Sequence, residues 1–201
     1  MLRCTASQHH RIAPDDHYNT SISMFVTSIP ATSSTTEDLC SHPARTFAIL
    51  AHADQRYGNH PYVVHLDAVA ALVVPYGETA VTVAYLHDTV EDTAVSLAEV
   101  EQQFGASVAA CVSVLTDEAG ATRAVRKAKT YAKMAQLSGE VELALLVKVA
   151  DRLANVRACV QDGRKALWSV YQSEHVAFKA AAYRAGQCDA LWSALDALLS
   201  D

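Results

Sequence analysis

With 201 residues, the chain is long enough to bury one sizeable core and short enough that a single domain is the default. Alanine, leucine and valine dominate, and seven glycines and five prolines supply few turns, which favours an all-α fold over a sandwich or an open twisted sheet. A formal net charge of −6 argues against a surface that coats a nucleic-acid polymer, and no apolar run reaches membrane-spanning length.

Residues 1–40 are rich in Ser, Thr, His and Asp and read as a flexible appendage, with residues 41–201 as the domain proper. The apolar patch Ile22–Ile29 has no periodicity that fixes it, and His9, His10 and His17 lack a rigid frame for metal binding. The N-terminus has no basic region followed by a hydrophobic core. Five cysteines, odd in number and without a CxxC pair, suggest free thiols in the cytoplasm; Cys111 and Cys159 fall in apolar patterns and are expected to be buried.

A helical pattern begins near Pro43, with Ala44, Phe47, Ala48, Leu50 and Ala51 forming a stripe toward Asp54. Residues 53–62, ADQRYGNHPY, form a turn. A second helix is expected over Val64–Val74, with His65 in its first turn, and a third, almost wholly apolar and therefore central, over Thr79–His87. Ser96 and Glu99 form a capping box for a short helix ending near Phe104–Gly105, and Ala106–Thr116 continues as another. Thr122–Leu137 is a basic helix carrying Arg123, Arg126, Lys127, Lys129 and Lys133. Glu140–Val160 is the longest periodic stretch, and Lys165–Ala182 and Asp189–Leu199 complete an all-α fold of about eight to ten helices. No alternating strand pattern and no internal repeat is visible.

The chemistry concentrates at Leu86–Thr93, LHDTVEDT. On a helix, Glu91 stands four residues after His87 and Asp92 four after Asp88, so their side chains share one face. Such a cluster can be the wet end of a surface helix, or it can surround a cation. Asp151 stands alone on a long apolar helix, where a carboxylate is costly unless a metal or a cation satisfies it; Lys148 and Asn155 share its sector, and a salt bridge to Lys148 or Arg152 is the plainer alternative. Together His65, His87, Asp88 and Asp151 offer two imidazoles and two carboxylates on three helices, a donor set suited to Mn²⁺, Fe²⁺ or Zn²⁺ more than to Ca²⁺ or Mg²⁺.

In this order, H…HD…D, the chain resembles the HD-domain metal phosphohydrolases, specifically the (p)ppGpp hydrolase domain of Rel/SpoT proteins and the small alarmone hydrolases. PYVVH at 61–65 is similar to that family's PYxxH segment, LHDTVEDT to its HD…ED segment, and KVADRLANVR at 148–157 to its K-x-A-D-K/R-x-x-N-x-R segment. The resemblance implies a single-domain HD fold with His65, His87, Asp88 and Asp151 as ligands of one divalent ion, most simply Mn²⁺. It implies Glu91 and Asp92 as the catalytic pair and Asn155 in the substrate pocket, with Arg56, Lys148 and either Lys127 or Arg126 meeting substrate charge. A solvated helix face explains most of the other basic residues. The implied reaction is hydrolysis of the 3′-diphosphate of a small nucleotide, (p)ppGpp or an analogue such as (p)ppApp. The family's Arg-Lys pair before PYxxH is Arg56-Tyr57 here, and Leu66 stands where a proline is usual, which leaves the metal ligands in place and the base preference open.

Overall fold

The computed structural model describes residues 39–200, so the expected N-terminal appendage, its histidines and its apolar patch lie, but for Leu39 and Cys40, outside the described residues. Helix α1 spans Pro43–His52, with proline in its first turn and the His42 ring accepting from the Ala44 N–H. A minimal antiparallel hairpin follows, β1 Arg56–Tyr57 and β2 His60–Pro61, with Arg56 opposite Pro61 and Tyr57 opposite His60. The sequence showed a turn here but no strand, because a ladder of two residues is too short to produce alternation. Gly58, at φ +59°, takes the left-handed conformation that so tight a reversal needs.

Helix α2, Val63–Val73, runs into a 3₁₀ turn at Val74–Tyr76, and α3, Glu78–Leu86, packs beside it. Val83, Ala84, Tyr85 and Leu86 are fully buried, as expected of a central helix. The expected boundary at His87 shifts by one residue for a chemical reason. The His87 ring takes the Ala84 carbonyl through Nδ1 at 2.7 Å, and the chain turns at Asp88 before the single-turn α4, Thr89–Asp92.

Helix α5, Leu97–Phe104, opens with the expected capping box: Ser96 Oγ accepts from the Glu99 N–H, and Glu99 accepts from the Ser96 N–H. Next come α6, Ala106–Leu115; α7, Arg123–Ala135, capped by Thr122; and a 3₁₀ turn at Gly139–Glu142 that leads into α8, Leu143–Gln161. Helices α9, Lys165–Ala182, and α10, Asp189–Leu199, match the periodicity residue for residue.

Helix α8 is the axis of the molecule, packed against α2, α3, α6, α9 and α10. Val147, Val149, Ala150, Leu153 and Val156 are fully buried on it, and Phe178, Trp192 and Leu195 close the core from α9 and α10. Cys111 and Cys159 are buried, as is Cys188, and the four cysteines among the described residues are unpaired. Among the described residues no helix is long and apolar enough to cross a membrane. Three helices with buried interiors therefore converge on one another, and the polar groups they carry inward are held rigidly.

Candidate active site

Helix α2 delivers His65, the α3–α4 turn delivers His87 and Asp88, and the middle of α8 delivers Asp151. The Nε2 atoms of the two histidines stand 3.2 Å apart. Asp88 Oδ2 lies 3.0 Å from His87 Nε2 and 3.7 Å from His65 Nε2, and Asp151 Oδ1 lies 3.3 Å from His65 Nε2 and 3.7 Å from His87 Nε2. His65 and His87 are buried, and neither aspartate is widely exposed. The four side chains named from the sequence thus meet at one point.

The donor set fits a divalent cation. His87 Nδ1 is committed to the Ala84 carbonyl, so Nε2 of the neutral ring presents a lone pair inward. One ligand atom each from His65, His87 and Asp88 lies within 4.8 Å of the others, a triad able to hold a metal, and an oxygen of Asp151 faces both imidazoles. The field there is strongly negative. Burial alone would lower the pKa of His87, but Asp88 and Asp151 push it up to about 10. Burial would raise both carboxyls, but His87 holds Asp88 below its usual range, and Lys148, His65 and His87 do the same for Asp151. A site that so favours a proton on an imidazole equally favours a metal ion in its place.

Around this cluster opens a cavity of about 310 Å³. Glu91 and Asp92 line it from α4. Glu91 Oε2 accepts from the Asp117 N–H at 2.9 Å, and burial raises its pKa despite that bond. Asp92 Oδ2 lies 3.1 Å from the Tyr62 hydroxyl, which donates to Asp88 Oδ2 at 2.6 Å. The lining also carries four cations: Lys148, Lys127, Arg123 and Arg152. Lys148 Nζ stands 3.5 Å from Asp151 Oδ2, so the plainer salt bridge weighed from the sequence exists beside the histidine cluster rather than instead of it. Four carboxylates around it raise the pKa of Lys148 against the effect of burial, which keeps it charged. Lys127 Nζ pairs with Asp117 at 2.8 Å.

Lys127, Lys148 and Asn155 line the cavity, whereas Arg56 and Arg126 stand outside the lining; the Arg56 guanidinium donates to the Asn59 carbonyl within its own hairpin. Sequence reasoning did not assign the tyrosines. Tyr57 and Tyr171 line the cavity with Tyr62, and Tyr57 stacks on His65 with ring centroids 4.7 Å apart. Arg123 and Arg152 converge on the Glu174 carboxylate at 2.7 and 3.0 Å. Tyr62 sits three residues before His65 in PYVVH, where a signal existed; Tyr171 and Glu174 on α9 carry none in their local pattern.

An HD-domain family model matches residues 44–187, well over half of the chain. The chain belongs to the HD-domain family. Among curated HD relatives, the Danio rerio protein "Guanosine-3′,5′-bis(diphosphate) 3′-pyrophosphohydrolase MESH1" is 35% identical over 127 residues, covering 58% of this chain and 69% of that one. A "probable guanosine-3′,5′-bis(diphosphate) 3′-pyrophosphohydrolase" of Synechocystis is 33% identical over 117 residues, 55% of this chain but only 15% of its own length. This HD chain therefore corresponds to a small part of such long relatives. A solved structure described as a metazoan ortholog of SpoT that hydrolyzes ppGpp superposes with a TM-score of 0.64 at 25% identity, covering 85% of this chain and 97% of that one. A Listeria monocytogenes structure, at a TM-score of 0.56 and 23% identity over 70% of this chain and 97% of that one, shares the fold. The curated relatives and the SpoT ortholog set the chain among the SpoT/Rel/MESH1-like HD hydrolases, and the buried histidine-aspartate cluster is its candidate metal centre.

Proposed function

We propose that the chain is a Mn²⁺-dependent pyrophosphohydrolase acting on the 3′-diphosphate of (p)ppGpp or a close analogue such as (p)ppApp. The observation that carries this reading is the meeting of His65, His87, Asp88 and Asp151 beside a cavity that Glu91, Asp92 and lysine and arginine side chains also line. The likeness to the Danio rerio enzyme supports the substrate class.

In this reading His65, His87, Asp88 and Asp151 hold the ion. A divalent metal in such a set supplies a Lewis acid for a phosphate oxygen and lowers the pKa of a coordinated water. Glu91 does the proton work: its Oε2 is pinned by the Asp117 N–H, its Oε1 is left for the attacking water, and its raised pKa brings it closer to that of a general base working near neutrality. The water oxygen bonds to the phosphorus attached to the ribose 3′-oxygen, that P–O bond breaks, and pyrophosphate leaves. The proton removed from the water is available, through Glu91 or Asp92, to the departing 3′-oxygen. Lys148 and Lys127 neutralise the diphosphate and Asn155 borders it. Arg56 and Arg126, outside the lining, are assigned to parts of the nucleotide that project from the cavity. We assign residues 41–201 to the hydrolase domain and residues 1–40 to an appendage, and the unpaired cysteines fit a reducing, cytoplasmic setting.

A panel assay with ppGpp, ppApp and NADPH, with Mn²⁺ supplied and then chelated, tests the reading. Mn²⁺-dependent pyrophosphate release from ppGpp or ppApp is the expected outcome and ranks the two bases. Orthophosphate from NADPH alone would keep the metal chemistry and replace the substrate. A folded, metal-loaded protein that turns over none of them would overturn the enzymatic reading in favour of nucleotide binding.

A further inference from the structure

We propose that Tyr57 is a positioning residue that, through Asn155, fixes the carboxylate of Asp151 in the metal-binding cluster. The inference rests on the metal site of the preceding section and adds a residue to it.

The connection is continuous from atom to atom. The Tyr57 hydroxyl donates to Asn155 Oδ1 at 2.8 Å. Asn155 Nδ2 in turn donates to the Asp151 backbone carbonyl at 3.1 Å and to Asp151 Oδ1. That Oδ1 is the oxygen facing His65 and His87, while Oδ2 faces Lys148. The same tyrosine ring lies flat on His65, 4.7 Å between centroids at an interplanar angle of 15°. One side chain of the hairpin therefore touches two of the four groups in the cluster, His65 by its face and Asp151 through one amide.

The direction of donation is what gives the phenol its effect. An amide side chain can turn over without changing shape, and only its partners decide which end faces where. A tyrosine phenol, with an ordinary pKa of about 10, remains an O–H donor at working pH. A fixed donor at Tyr57 requires oxygen on that side of Asn155 and directs its NH₂ group to Asp151. Without the hydroxyl, Asn155 loses the partner that sets its orientation, and the carboxylate oxygen turned toward the histidines loses its brace.

The test is metal binding by the full chain, with Co²⁺ as probe, read as a dissociation constant by chelator competition and as the visible absorption of the bound ion. Tyr57→Phe keeps the ring against His65 and removes the donor. It is expected to weaken Co²⁺ binding on the order of 10-fold, as loss of an outer hydrogen bond to a ligand does, and to shift the Co²⁺ spectrum. Asn155→Leu should weaken binding at least as much, and the double variant should be no worse than Asn155→Leu alone, because both changes cut one chain of contacts. Wild-type affinity and spectrum in Tyr57→Phe, or additive losses in the double variant, would overturn the inference while leaving the metal site standing. Failure of the unaltered chain to bind Co²⁺ at all would overturn the metal site and the inference with it. If Tyr57→Phe does not fold, Asn155→Leu alone decides: undiminished Co²⁺ affinity there refutes the brace.

Discussion

His65 and His87 come from different helices, yet their Nε2 atoms face each other across 3.2 Å with carboxylate oxygens on either side. Without metal, a proton on the His87 imidazole and the Lys148 ammonium offset the two carboxylates; a divalent ion binds the folded cluster and not the unfolded chain, in which the four groups are apart. Metal should therefore stabilise the fold as well as serve the reaction. Chelation is expected to lower the melting temperature and Mn²⁺ to restore it; at one hundred times its dissociation constant a ligand adds about 2.7 kcal/mol. Scanning calorimetry with and without chelator checks this, and an unchanged melting temperature would count against metal binding.

Asp151→Ala and Glu91→Gln should separate metal from chemistry. Asp151 faces both imidazoles, and its removal should cost metal and turnover together. Glu91 is held by the Asp117 N–H and is assigned no ligand role, so Glu91→Gln should retain the ion and lose at least 10²-fold in kcat. Metal analysis of the purified variants beside turnover is the measurement; a metal-free Glu91→Gln protein would contradict the roles assigned.

Glu174 joins Arg123 and Arg152 and is expected to matter for stability in a pH-dependent way. Burial opposes its ionisation, but the two guanidinium groups hold its pKa below the usual value. A carboxylate depressed in the folded state adds stability that is fully present above the unfolded value, ~4.3, and is lost as pH falls through the folded value. Glu174→Gln should cost about 2 kcal/mol near neutrality, and the gap from the unaltered chain should narrow below about pH 4.3. Urea unfolding at a series of pH values reads this directly.

The capping box offers a local control. Ser96→Ala removes a side-chain acceptor at the start of α5, away from the cavity, and should cost about 1 kcal/mol with no change in metal affinity. Thermal unfolding and metal titration together check both halves.

Most helices were legible because each declares itself locally: Ser96 and Glu99 mark a start, Gly105 a stop, and the stripe from Leu145 to Val156 a buried face. The metal cluster was legible because its members fall in short motifs or stand out as charges on apolar helices, as Asp151 does. The turn at His87–Asp88 was not, since it depends on a ring nitrogen capturing a carbonyl three residues back. Nor were Arg123 and Glu174 as partners, 51 residues apart, because nothing in either segment refers to the other. Tyr57 was visible only as a substitution in a known pattern. That Tyr57 stacks on His65 and bonds Asn155 is a fact of tertiary packing, which a one-dimensional pattern does not record.

Gly58, at the tip of the hairpin, comes close to Arg164, just past the end of α8: a Cβ there would meet the Arg164 guanidinium, which would have to move aside. Tyr57 meanwhile bonds Asn155 two turns earlier. The hairpin thus works like a caliper, touching α8 near its middle and just beyond its end. Its length is a gauge for the whole cluster, and one residue added or removed between Gln55 and Tyr62 would carry both jaws with it. Loop length at this spot therefore bears on the geometry of the cluster, where most surface loops can change length without consequence.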